Sequence, residues 1–171
     1  MTVALLDRLD EAQARGVLFQ CCGSHSWVDQ MLARRPFGSD ERLLHSADEV
    51  WWGLTRQDWL EAFGHHPRIG EGSPPDPSAG QSDRWASEEQ AGADGADTAT
   101  VNALAEYNSA YEDRFGHVFL ICASGLDSAA MLQTLQARYE NPANMEFRIA
   151  AGEQAKITRL RLQKLETVCV A

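Results

Sequence analysis

A chain of 171 residues is long enough to bury a substantial core and fits one ordinary domain, so the sequence predicts a single domain over residues 1–171. Its hydrophobic share of 44% and charged share of 23% are ordinary for a globular protein and exclude a disordered or fibrous chain. The formal net charge of −10 repels nucleic-acid phosphates and anionic lipids. We therefore expect neither nucleic acid nor a membrane as a partner.

The four cysteines show no spacing typical of a zinc site. Cys21 and Cys22 are adjacent, and Cys122 and Cys169 stand far from them along the chain. We interpret all four as reduced thiols that pack as small hydrophobic side chains. The N-terminal segment reaches Asp7 before a signal-like apolar stretch develops, and no apolar run is long enough to span a bilayer. These features predict a cytoplasmic protein.

Hydrophobic residues recur at helical spacing along most of the chain, and no useful run alternates with the period of a strand. A helix is predicted after the N-cap pair Ser39-Asp40, a short one after Thr55, and others over 97–115, 128–139 and 143–168. The residues of the first four predicted inward stripes are Leu43, Ala47, Val50 and Leu54; Trp59, Leu60 and Phe63; Val101, Leu104, Asn108, Tyr111 and Phe115; Met131, Leu132, Leu135 and Tyr139. The pattern predicts an all-α fold, a single-domain helical bundle with long loops.

Three segments interrupt the helical pattern. The Pro-rich stretch 70–80 and the Ala-, Gly- and Asp-rich stretch 91–100 are predicted loops, and the first is either a lid or mere slack. The apolar run 118–123 has the composition of a strand, but the sequence predicts no second strand that could pair with it. We predict a short buried extended connector whose backbone N–H and C=O groups need partners other than a sheet ladder, with a bound polar ligand as one candidate.

His66 is the first candidate for chemistry. It precedes Pro67, which disfavours helical backbone at His66 and ends the preceding helix near Gly64 or His65. The partial negative charge of a helix C-terminus favours the protonated imidazole, which suits His66 to donate a proton near neutral pH. A helix stop whose histidines only cap carbonyl groups accounts for the same pattern. Both roles stay open on this evidence.

Glu89 and Arg161 are the other candidates. Glu89 follows Trp85 on a predicted partly buried face, where its carboxylate either orients a histidine or belongs to an acidic pair at a helix start. Arg161 lies with Gln154 on the apolar stripe of the last predicted helix, whereas Arg159 lies on its solvent-facing side. An inward guanidinium needs an anion, which is either a protein carboxylate or a ligand.

Other motifs are absent or weak. His25, His45 and His117 have no companion at ligand spacing, so we expect surface or capping roles for them. The sequence contains no phosphate loop, nucleophile elbow, zinc-binding His pair or dinucleotide fingerprint.

Taken together and in order, these segments resemble the 2-oxo-4-hydroxy-4-carboxy-5-ureidoimidazoline (OHCU) decarboxylase family of the ureide pathway, which converts urate to allantoin. The resemblance covers nearly the whole chain. Its motifs are Trp51 through Trp59-Leu60-Glu61-Ala62-Phe63 into His65-His66-Pro67-Arg68-Ile69-Gly70; Glu89-Gln90-Ala91-Gly92; Tyr111-Glu112-Asp113-Arg114-Phe115-Gly116; Phe119 to Ala123; then Arg138, Asn141, Glu146, Glu153, Lys156-Ile157 and Leu160-Arg161-Leu162.

The resemblance implies an all-helical homodimer without metal or organic cofactor, which decarboxylates OHCU to S-allantoin. It implies that His66 donates the proton and that Glu89 and Arg161 are the other essential polar groups. The implied substrate-binding residues are Pro67, Ala86, Ser87, Glu88, Gln90, Phe119, Leu120, Ile121, Cys122 and Ala123. Many relatives carry serine where this chain has Ala86, and Ser87 is turned by about 100° on a helix, which puts ligand contacts in that corner in doubt.

Two other functions compete with this one. A helical hydrolase or lyase acting on another ureido or carboxylated heterocycle would use the same His, Glu and Arg residues. A non-enzymatic helical interaction module would instead pair the inward Arg161 with a buried carboxylate.

Overall fold

The structure is a computed structural model, and it describes residues 2–70, 80–93 and 95–168. Within these ranges the regular elements are helices, and none of the residues forms a strand, which confirms the predicted all-α class. The elements are α1 (Thr2–Arg8), α2 (Glu11–Cys21), α3 (His25–Ala33), α4 (Asp40–Trp52), α5 (Arg56–Phe63), α6 (Gln81–Glu89), a 3₁₀ turn (Ala91–Ala93), α7 (Thr98–Phe115), α8 (Ser128–Tyr139) and α9 (Ala143–Val168). Among the described residues, no helix combines the length and the apolar character that a membrane span requires.

Side-chain caps fix the starts of the predicted helices. Ser39 accepts a hydrogen bond from the backbone N–H of Arg42 at 3.2 Å and starts α4, as the sequence predicts. Asp97 caps α7 by accepting from the N–H of Thr100 at 2.9 Å. Helix α7 then ends at Gly116, whose φ of +75° suits glycine at a helix C-terminus.

The described chain divides into two compact units. One combines Met1–Ala62 with Ala155–Ala171 and is called the terminal unit; the other, Phe63–Gln154, is called the central unit. Helix α9 contributes its first part to the central unit and its second part to the terminal unit. The single domain predicted over 1–171 stays a prediction.

The terminal unit is built from α1 to α5 and the end of α9. Helix α3 packs against α2 and α4, and the Trp27 indole N–H donates to the carbonyl oxygen of Ala47 at 3.1 Å. Cys21 and Cys22 are buried and form no disulfide, as predicted, and burial raises the pKa of Cys22 to about 12. Leu54 was expected on the stripe of α4 but lies beyond the end of this helix and is only half-buried.

The central unit has its own hydrophobic core, in which α7 packs against α8. Its buried members are Ile69, Leu104, Tyr111, Phe119, Ile121, Ala123, Met131 and Leu135. The prediction that Val101 points inward is wrong, because this residue is 40% exposed. Val101 lies in the first turn of α7, one turn before Leu104, which is the first residue of this helix in the core.

Candidate active site

His66 lies just past the end of α5, where its backbone N–H donates to the carbonyl oxygen of Phe63 at 3.2 Å. The predicted helix end is therefore confirmed. The side chain is half-buried, and its Nε2 lies 2.7 Å from Oε1 of Gln154. Gln154 is fully buried on α9 and belongs to the central unit. The imidazole is thus held by a side chain 88 residues away in sequence.

The turn that follows His66 is tied to two helices. The Asn108 amide on α7 donates to the carbonyl oxygen of Ile69 at 2.8 Å. The N–H of Gly70 donates to Oε1 of Gln90, the residue after α6, at 3.3 Å. Gly70 has a φ of +80°, a conformation that favours glycine. The hydrogen bond to Gln90 brings the His66 segment to the end of the helix that carries Glu89.

Arg68 anchors the same segment electrostatically. Its Nε and Nη2 donate to the two carboxylate oxygens of Glu112 on α7 at 2.6 and 2.9 Å. A bidentate pair of this kind fixes both distance and orientation. The segment from His66 to Gly70 is therefore positioned by side chains from α7, α9 and the end of α6.

Glu89 is the last residue of α6 and is 7% exposed. The interpretation of Glu88 and Glu89 as an acidic pair at a helix start is wrong, because α6 begins at Gln81 and these residues end it. At a helix C-terminus the backbone dipole disfavours a carboxylate, so capping does not explain why Glu89 is buried there. Glu88 is exposed, whereas Ala86, one turn before Glu89, is buried on the same face.

The connector over 118–123 is non-helical, and the part of the chain that the structure describes offers it no strand partner. Side chains bind its backbone instead. Arg138 Nη1 donates to the carbonyl oxygen of Leu120 at 2.6 Å, and the N–H of Cys122 donates to Oε2 of Glu153 at 2.7 Å. The predicted buried connector is confirmed, with Phe119, Leu120, Ile121 and Ala123 buried and Cys122 half-buried.

A buried polar network supports this connector. Glu146, which is 0% exposed, accepts hydrogen bonds from Arg138 Nε at 2.8 Å, from Asn141 Nδ2 at 2.8 Å and from the Tyr111 hydroxyl. The Arg138 guanidinium also lies 4.6 Å from the centroid of the Phe119 ring. Burial, and then the hydrogen bond to Glu146, raise the pKa of Tyr111 well above its usual range. The phenol therefore stays a donor at any physiological pH.

The family model of OHCU decarboxylase matches residues 7–163. The chain belongs to the OHCU decarboxylase family. It is 40% identical over 146 residues to the uric acid degradation bifunctional protein TTL of Arabidopsis thaliana, an alignment that covers 85% of this chain and 45% of that protein. It is 37% identical over 76 residues to the 2-oxo-4-hydroxy-4-carboxy-5-ureidoimidazoline decarboxylase of Mus musculus, covering 44% of this chain and 43% of that one. The aligned segments thus span less than half the length of these curated relatives.

Solved structures show the same fold. An OHCU decarboxylase crystallised in the presence of (S)-allantoin is 38% identical, with a TM-score of 0.72 over 87% of this chain and 96% of that chain. A structure of (S)-allantoin synthase is 18% identical, with a TM-score of 0.70 over 96% of this chain and 54% of that chain, and this likeness concerns the fold alone.

Arg161, the third residue that the OHCU decarboxylase resemblance singles out, is 4% exposed and lies in the terminal unit. Its inward orientation is confirmed, and its Nη1 donates to the carbonyl oxygen of Gln20 at 3.3 Å. Arg159 is exposed, as predicted, and pairs with Asp48 at 2.9 Å. The structure brings the segments of His66 and Glu89 together within the central unit, and it describes Arg161 within the terminal unit.

One of the three remaining histidines differs from its predicted setting. The prediction that His117 is a surface or capping residue is wrong: it is 8% exposed, and its ring packs against Phe63, Tyr111 and Phe147 with centroids 5.2, 5.5 and 5.6 Å apart. A non-helical segment has no period that reveals such packing. His25 and His45 are exposed, as predicted.

The remaining predicted site residues are placed as follows. Pro67 is exposed, Ser87 and Gln90 are half-buried, and Ala86 is buried. Residues 71–79, which make up nearly all of the predicted lid or slack loop, and Cys169 lie outside the described residues. Among the described residues, no three His, Cys, Asp or Glu side chains are grouped so as to hold a metal ion.

Proposed function

We propose that this domain decarboxylates OHCU to S-allantoin in urate degradation. The observation that carries the proposal is the likeness, over 87% of the chain, to an OHCU decarboxylase crystallised in the presence of (S)-allantoin. The buried Glu89 and the positioned His66 agree with it, because a decarboxylase that protonates its own intermediate needs a fixed acid.

The substrate carries its own electron sink. A carboxylate and a hydroxyl share one ring carbon, which adjoins a C=N bond. When the C–CO2 bond breaks, its electron pair forms a C=C bond to the neighbouring carbon and the C=N electrons move to nitrogen, which takes up a proton. The resulting enol then becomes a carbonyl as its O–H proton is lost and the neighbouring carbon is protonated. No external electron acceptor is required, so we expect no cofactor.

We assign the last proton transfer to His66. Its ring lies just past the end of α5 and is held by Gln154. Delivery of the proton to one face of the planar enol makes a single enantiomer, whereas solvent protonates both faces equally. His66 then regains its proton from water. Glu89 orients and polarises His66 or the substrate hydroxyl.

We assign binding of the substrate carboxylate to Arg161, a buried guanidinium of the kind that pairs with anions. The other residues proposed to bind the substrate are the backbone groups of the connector over 119–123, Pro67, the α6 residues Ala86, Ser87 and Glu88, and Gln90 directly after α6. Low polarity around the carboxylate favours its departure as neutral CO2. The proposal includes a homodimer and a cytoplasmic location.

The test is a circular dichroism time course with freshly oxidised urate as the source of OHCU. The protein should accelerate the appearance of the S-allantoin signal over the protein-free reaction, which yields no net signal. A folded preparation that leaves the decay of OHCU at its uncatalysed rate would contradict the proposal and favour either another ureido or carboxylated heterocycle as substrate or an interaction module.

A further inference from the structure

We infer that Gln154 is the positioning residue of His66: it holds a proton on Nε2 and sets the plane and direction of the imidazole. The inference rests on the proposed function, because it concerns the acid of that same reaction. Gln154 is 0% exposed, so the acceptor of the 2.7 Å hydrogen bond between its Oε1 and His66 Nε2 is buried, while the His66 ring is half-buried.

The chemistry of the pair determines what Gln154 does. A carbonyl oxygen accepts only from a protonated nitrogen, so Gln154 Oε1 requires a proton on Nε2. This requirement is met both by the neutral ring with its proton on Nε2 and by the imidazolium. The contact therefore survives the loss and the return of the catalytic proton, and the ring keeps one orientation through the cycle.

The position of Gln154 in α9 explains why it is suited to this role. Its neighbour Glu153 accepts the N–H of Cys122 at 2.7 Å, so consecutive residues of one helix hold the proposed acid and the proposed substrate-binding connector. A rigid helix fixes the distance between such groups better than a loop does. Because α9 in this region belongs to the central unit, a single element sets the geometry of both.

The test is Gln154→Met, which replaces Gln154 by a side chain of similar length that lacks the amide oxygen and so offers His66 no strong hydrogen-bond acceptor. In ¹⁵N-histidine-labelled protein we expect the hydrogen-bonded Nε2–H of His66 to give a slowly exchanging signal, which is assigned by its loss in His66→Asn. Gln154→Met should lose this signal, and its kcat should fall about 10- to 100-fold, the loss expected when a catalytic group is misplaced by about 1 Å. KM should change little, since Gln154 acts through the acid and not on the substrate.

Two further variants separate positioning from stability. Gln154→Glu retains an acceptor oxygen at the same reach, so it should keep the Nε2–H signal and recover most of the lost kcat. Thr158→Val removes a buried hydroxyl one turn further along α9 and should leave the signal and kcat as in the unaltered protein.

The inference is overturned if Gln154→Met keeps the signal and kcat, or if Thr158→Val loses both to the same extent. Failure of the proposed function is a different result, in which the unaltered protein shows no decarboxylation at all. The NMR signal requires no turnover and tests the Gln154–His66 contact in either case.

Discussion

The two units fix non-helical backbone in the same way but differ in what that backbone carries. In the terminal unit Asp7 accepts the N–H groups of Phe37 and Gly38 at 2.9 and 3.0 Å, from 30 and 31 residues away in sequence. In the central unit the irregular backbone at Ile69 and Leu120 is bound by Asn108 and Arg138, which are 39 and 18 residues away in sequence. In both units a distant side chain gives irregular backbone one fixed shape, whereas local caps fix the starts of helices. The difference lies in the proposed function, because the proposed acid and the proposed substrate-binding connector both lie in the irregular backbone of the central unit.

The largest effect that separates the two units is expected at Glu146. Glu146→Gln leaves the buried Arg138 guanidinium without its counter-charge, and we expect a loss of about 3–5 kcal/mol in the free energy of unfolding, measured with urea. Decarboxylase activity should fall as well, because Arg138 also binds the carbonyl of Leu120.

The matched control is the exposed pair of the terminal unit. Asp48→Asn breaks the contact between Asp48 and Arg159, whose side chains are 43% and 47% exposed. The loss in the free energy of unfolding should be less than about 1 kcal/mol, with no change in activity. Equal losses in the two variants would mean that the buried network contributes no more than a surface ion pair.

A smaller effect is expected at Gly92, which follows the Glu89-Gln90 segment. A methyl group here would lie 1.8 Å from the carbonyl oxygen of Leu126, and the next nearest atoms are backbone atoms of Leu126 and Asp127, which cannot swing aside as a side chain can. We expect Gly92→Ala to destabilise the protein by about 3 kcal/mol, seen as a lower urea midpoint.

Gly16 offers the opposite case in the terminal unit. It lies within α2, and an added methyl group meets nothing within 4 Å. Gly16→Ala should therefore stabilise the protein by about 0.5–1 kcal/mol. A stability gain in Gly92→Ala or a marked loss in Gly16→Ala would contradict the backbone packing described at these two glycines.

The contrast between local and distant contacts explains how far the sequence predicts the structure. Helical spacing and caps are local, so the extents of α8 and α9 and the cap at Ser39 are predicted correctly. The inward direction of Arg161 follows from spacing along one helix and is confirmed. Glu89 was assigned to the wrong end of its helix in one interpretation, because the nine-residue α6 has too few apolar residues to show its period.

The support of the site is what sequence reasoning missed. Gln154 lies on the predicted stripe of α9, but nothing in its spacing identifies His66 as its partner. The connector was predicted to need unusual backbone partners, and Arg138 and Glu153 supply two of them. Such pairings depend on tertiary packing between segments far apart in sequence, and only the presence of buried polar residues on apolar stripes could have indicated them.

The central claim is that His66 delivers the proton that gives allantoin its S configuration. The most direct measurement compares His66→Asn with His65→Asn, the same substitution one residue earlier at an exposed position, in the circular dichroism assay. We predict that His66→Asn lowers kcat at least about 100-fold and abolishes the S-allantoin signal, while His65→Asn retains both. Full turnover with an unchanged S-allantoin signal in a folded His66→Asn variant would contradict the account.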